Sequence, residues 1–272
     1  MKKTFISSII RDKEEKKEYR WQTSLTVLIL FIFGSFINIP FSREVKRLNI
    51  EAGKTDINLN ESIFSDLTTI GISSLILGAV LVFIGLWVSS NANMGAPVIA
   101  RFFSKKPVNG IIKREAVLSS MLLATIIALF LLGVFEFQKE FYPVSHKISR
   151  PSKPFYLLVS FSAGITEEIM FRLGLMSVII ATVQFFKRVE IPSNKLVWSA
   201  IVISALFFGL IHLPLSKNFL ELTPFTISVT MIGNLITGST FGWIFWKRGL
   251  LVAILSHIIF DLVFHVVGTP YT

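Results

Sequence analysis

The sequence contains no cysteine, which excludes a disulfide framework, a thiolate metal site and a cysteine nucleophile. Charge is scarce as well: 16% of the 272 residues are Asp, Glu, Lys or Arg, against 52% hydrophobic. An ordinary soluble domain is about 25% charged. A mean hydropathy of +0.67 instead groups this chain with polytopic helical membrane proteins. Two histidines one turn apart with an intervening glutamate, the common zinc-protease signature, do not occur, and neither a Gly-rich phosphate loop nor a serine elbow stands out. The net charge is +10. Its basic residues lie between apolar runs, where membrane topology accounts for them better than nucleic acid, so the expected surroundings are a lipid bilayer and no nucleic acid.

What is present is a series of apolar runs long enough to cross a bilayer. They cover about 23–39, ending at Pro40, then 67–88, 116–137, 155–186, 196–213, closed by Pro214, 224–246 and 250–267. These predict an all-α polytopic membrane protein, a bundle of about seven transmembrane helices with an intramembrane active site. The expected division is a basic cytoplasmic tail over 1–20, three N-terminal transmembrane helices and their loops over 21–154, and a core over 155–267. Polar loops are expected over 41–66 and 138–154, the latter holding His146. The apolar stretch Phe5 to Ile10 is too short for a signal-peptide core, so the tail is expected to stay attached. The positive-inside bias puts that tail, the 91–115 loop, the 187–195 turn and Lys247/Arg248 on the cytoplasmic side of a cell membrane, with the acid-rich 41–66 loop outside.

Charges inside the fourth run need a reason. Glu167, Glu168 and Arg172 are the only charged side chains between Phe155 and Phe186. A charge near the bilayer centre costs roughly 2.5 kcal/mol or more, so such groups usually face an interior cavity. Glu168 and Arg172 are four apart with the acid first, the favourable order for a helical pair. A structural ion-pair cluster between helices would read the same way. Glu167 lies about a hundred degrees round the helix with no partner in sequence reach, which makes it the candidate general base. The glycines in this run, Gly164 and Gly174, are positions where the helix could break.

Two of the four histidines fall within later runs in local patterns of the same kind. Phe208 and His212 lie one turn apart near the end of the fifth run, and His257 and Asp261 are four apart in the last, where the acid can orient or charge-stabilise the ring. His265 continues that face. Two chemistries use such a set. In one, Glu167 and His212 deprotonate a water while His257 and its partner stabilise an oxyanion. In the other, Glu167, His212 and His257 bind zinc, which lowers the pKa of its own water. The missing zinc-protease signature favours the reading without a cofactor. Gly233, Gly238 and Gly242 are expected at close helix contacts.

Glu167-Glu168-Ile-Met-Phe-Arg172 resembles the EExxxR motif of the CAAX-protease and bacteriocin-processing (CPBP, or Abi) family of intramembrane proteases. Phe208-Gly-Leu-Ile-His212 resembles its FxxxH motif, and His257-Ile-Ile-Phe-Asp261 its HxxxN/D motif, in the right order on separate spans. The segment Gly242 to His257 is similar to the helix-turn-helix that leads into the third motif. The resemblance covers about 155–267. It implies an endopeptidase acting inside the membrane on a peptide or protein substrate, lipidated in the CAAX case, with bacteriocin maturation or self-immunity as the bacterial roles. It implies that Glu167 and His212 activate water, that His257 and Asp261 form the oxyanion side, and that Glu168, Arg172 and Phe208 support them. Prenyl-protease members carry asparagine where this chain has Asp261, so the aspartate must be protonated or serve only to orient His257. A proton-coupled transporter and a non-catalytic immunity or scaffold protein are the alternatives from other classes.

Overall fold

A computed structural model describes residues 18–53, 62–91, 94–141 and 147–268. The expected basic tail, apart from Glu18 to Arg20, and His146 lie outside the described residues. Helix α1 spans Arg20–Ile37, α2 Ile39–Glu51, α3 Ile63–Asn91, α4 Pro97–Phe103 and α5 Arg114–Phe141. Helix α6 runs Lys153–Lys187, α7 Asn194–Phe219, α8 Pro224–Arg248 and α9 Leu250–Val267. There is no β-strand among the described residues, and the chain is an all-α polytopic membrane protein. Among the described residues six segments are long and apolar enough to cross a membrane: Arg20–Glu51, Ile63–Ser89, Arg114–Gln138, Lys153–Lys187, Asn194–Phe219 and Leu250–Val267. Helix α8 matches them in length, but its threonines and Asn234 dilute the apolar character because they turn toward a cavity.

The membrane-length helices have one apolar face turned to their neighbours and another turned outward. Ile29, Ile76, Phe130 and Phe185 are exposed, as side chains are when the surrounding solvent is lipid. Val82, Ile169, Leu173, Ile244 and Ala253 are fully buried and tie α3, α6, α8 and α9 into a common core. Small residues set the closest approaches. A Cβ on Gly164 would lie 2.5 Å from Ile258 Cγ1, so α6 and α9 are nearly in backbone contact there. Between α8 and α9 the chain reverses at Gly249, whose φ of 81° suits glycine, and the helix-turn-helix expected from the sequence is formed.

Four expectations are corrected. The stretch 41–66 begins as helix α2, with Pro40 in its first turn, where proline is tolerated. Its Phe41, Val45 and Leu48 pack against Tyr156, while Arg47 pairs with Glu44 and Glu51 along the outer face. Pro214 does not close the fifth span, because α7 continues through it to Phe219. Helix α6 is not broken at Gly164 or Gly174. It widens instead into π-helical winding over Glu168–Met176, where Ser177 Oγ donates to the carbonyl of Arg172 five residues back. Of the three glycines in α8, Gly238 and Gly242 do pack closely, against Ala205 and Ile201, but Gly233 has nothing within 4 Å and lines the cavity.

Candidate active site

Three helices, α6, α7 and α9, bring the predicted side chains together around Glu167. This residue ends the α-helical part of α6, one residue before the π turns begin. Its Oε1 lies 3.9 Å from His212 Nε2 on α7, and its Oε2 lies 3.8 Å from His257 Nε2 on α9. Both gaps exceed a direct hydrogen bond and leave a water beside either pair within reach of both groups. The His212 ring is fixed from behind, its Nδ1 donating to the Phe208 carbonyl at 2.7 Å, so the Nε2 lone pair faces the carboxylate. Phe208 also packs against that ring, tilted by 54° with centroids 4.5 Å apart.

The group that holds His257 is Glu168, not its helical neighbour. His257 Nδ1 is 2.8 Å from Glu168 Oε1, whereas Asp261 Oδ1 stands 3.7 Å from Nε2 on the reacting side of the ring. Phe241 of α8 stacks on His257 at 4.5 Å and 18°, which fixes the plane of the imidazole. Glu168 is fully buried, and its second oxygen is 3.2 Å from Arg172 Nε, the pair expected from their spacing. Arg172 reaches on to the Gly238 carbonyl at 3.2 Å, with its guanidinium over the rings of Phe208 and Phe241. Arg172, Glu168 and His257 thus form one buried chain ending beside Glu167. Sequence spacing could show only its first link, since Glu168 and His257 are 89 residues apart. Nothing local marks Phe241 as a partner.

Glu167, His212, His257 and Asp261 line a cavity of about 310 Å³ bounded by α5, α6, α7, α8 and α9. Its walls include Phe135, Phe219, Phe225, Phe260 and Phe264, with Asn234 and Thr237 projecting from α8. A second cavity of about 350 Å³ meets it at Glu167 and is lined by polar groups that include Asn38, Ser42, Ser162, Thr166 and Asn218. Glu167 is therefore reached from an apolar and a polar side. His265, expected further along the His257 face, stacks on Tyr156 at 5.2 Å in the same apolar cavity. Among the described residues no group of three or more His, Cys, Asp or Glu side chains has the arrangement of a ready metal site.

Residues 150–263 match the family model of Rce1-like proteins, Type II CAAX prenyl endopeptidases. Neither the curated proteins nor the solved structures gave a match. The matched segment runs from the start of α6 into α9 and contains Glu167, His212, His257 and Asp261. The segment from 150 to 263 thus matches the CPBP/CAAX protease family, a family of membrane proteases, and the chain that carries it is a multi-pass membrane protein.

Proposed function

We propose that the protein is an intramembrane endopeptidase that hydrolyses a peptide bond near the membrane face, with water activated by Glu167 and His212. The observation that carries this reading is a single carboxylate whose two oxygens face imidazoles from two other helices, at 3.9 and 3.8 Å. A water beside Glu167 Oε1 and His212 Nε2 gives up its proton to the carboxylate as it attacks the carbonyl, and His212 Nε2 orients it. The proton then passes to the departing amine. General-base catalysis of this kind is worth roughly 10²- to 10⁴-fold.

His257 occupies the oxyanion side. With Nδ1–H given to Glu168, its Nε2 donates to the developing oxygen only as the imidazolium, a charge that Glu167 and Glu168 balance. Asp261, beside the same Nε2, supports the oxyanion when protonated, as an asparagine amide would. The aromatic walls suit an apolar or lipidated segment, and the family's prenylated C-terminal peptides are the proposed substrate class. The reaction as proposed needs no cofactor. The same three side chains would be the zinc ligands in the alternative chemistry, so a chelator arm belongs in the test.

The full chain in detergent, assayed on a fluorogenic peptide library with and without chelator, is expected to cleave equally in both. Glu167→Gln and His212→Ala are expected to lose cleavage while remaining folded. Wild-type turnover in Glu167→Gln overturns the mechanism. Activity that chelation removes and zinc restores transfers the water to a metal.

A further inference from the structure

The reacting groups occupy one end of the apolar cavity, and the other end carries a cation that the mechanism does not use. Arg150 lines that end together with Tyr156 and His265. Its Nη1 is buried and has no hydrogen-bond partner among the described residues, and the same holds for His265 Nδ1. The guanidinium sits over the Tyr156 ring at 5.7 Å, and Tyr156 stacks flat on His265, with planes 6° apart. The segment is held in place: the Lys147 amide donates to the Phe219 carbonyl at 2.7 Å, and Ile148 is buried against Tyr156. Two buried polar atoms without a hydrogen-bond partner among the described residues are costly unless a ligand completes them. A guanidinium and an imidazole together suit an anion, and the planar fork of arginine suits a carboxylate.

The spacing says which anion. Tyr156 precedes Glu167 by eleven residues on α6, about 16 Å of helical rise, and His265 follows His257 by eight residues on α9, about 12 Å. An extended peptide covers 3.3 to 3.6 Å per residue, so about three to five residues bridge the two ends. We infer that Arg150, assisted by His265, binds the free C-terminal carboxylate of the substrate and so fixes how many residues are released. This rests on the proposed hydrolysis at Glu167. Arg150 is a specificity residue here, remote from the reacting atoms.

The test uses full-length Glu167→Gln protein in detergent, so that binding is read without turnover. The probe is a dansylated peptide with an S-farnesyl cysteine four residues from its C-terminus, prepared as the free acid and as the amide. Fluorescence anisotropy is expected to show the acid binding roughly ten- to a hundredfold more tightly than the amide, the range of a charge-assisted hydrogen bond. Arg150→Met is expected to abolish the difference by weakening the acid alone, and Arg150→Lys to keep part of it. Equal binding of acid and amide, no binding of either, or undiminished preference in Arg150→Met overturns the inference. Displacement of the acid by short-chain phosphatidic acid, lost in Arg150→Met without any acid–amide difference in Glu167→Gln, would give the subsite to a lipid headgroup instead. Cleavage abolished by Glu167→Gln with no acid preference refutes the subsite alone, whereas acid preference without Glu167-dependent cleavage refutes the hydrolytic reading alone.

Discussion

Neutralising one member of the Glu168–Arg172 pair should be far more damaging than neutralising both. The side chains are 0% and 1% exposed, and the carboxylate also receives His257. Arg172→Met leaves a buried carboxylate with only the imidazole for company, and Glu168→Gln leaves a buried guanidinium with one carbonyl and two rings. Breaking a buried pair in this way costs about 3–5 kcal/mol, while replacing the whole pair by neutral groups is often close to neutral. Against a total stability of about 5–15 kcal/mol, either single variant should unfold at markedly lower denaturant. The double variant Glu168→Gln/Arg172→Met should regain most of the loss, a coupling of about 3 kcal/mol or more in the double-mutant cycle. Unfolding by SDS titration in mixed micelles, followed by the fluorescence of the five tryptophans, reads all four proteins. Single variants within about 1 kcal/mol of wild type, or losses that simply add, would show that the pair does not act as a buried unit.

Asp261→Asn should retain cleavage, because an amide donates permanently where the acid donates only when protonated. Wild type should then lose activity as rising pH deprotonates Asp261, a limb that a pH–rate profile of the variant lacks. A dead variant, or an unchanged alkaline limb, would make Asp261 an orienting anion. Gly164→Ala should destabilise the protein by about 1–3 kcal/mol, since the new methyl would stand 2.5 Å from Ile258 Cγ1, and Ile258→Ala in the same chain should recover part of it. Thermal scans of the single and double variants check this.

The site was legible in the sequence wherever it depends on one helix. The spacing of four between Glu168 and Arg172 survives the π winding, because a wider turn still leaves residues i and i+4 on one side. The isolation of Glu167 was equally readable, as a carboxylate with no local partner in an apolar run. The convergence of Glu167, His212 and His257 depends on how three helices cross, which spacing does not encode, and the motif resemblance supplied it. The hydrogen-bond partner of His257 is hidden from the sequence for the same reason. Asp261 is its neighbour in sequence, but the Gly164 contact between α6 and α9 delivers Glu168 to the ring instead. Helix α2 was hidden by composition: a charged, amphipathic segment resembles a loop until its Phe41, Val45 and Leu48 find Tyr156. Pro214 suggested an ending that the continuous helix through Phe219 does not need.

The wide turns of α6 divide that helix into two halves whose rotational settings are separable. Winding with five-residue hydrogen bonds accommodates a residue that a regular α-helix would not, so removing one residue between Glu168 and Met176 could relax the stretch to ordinary winding without moving either end of the helix far along its axis. Such a deletion would re-aim Glu168 and Arg172, which lie within the widened turns, while leaving both ends of the span seated. Catalytic geometry and membrane anchorage are thus adjustable independently within a single continuous span.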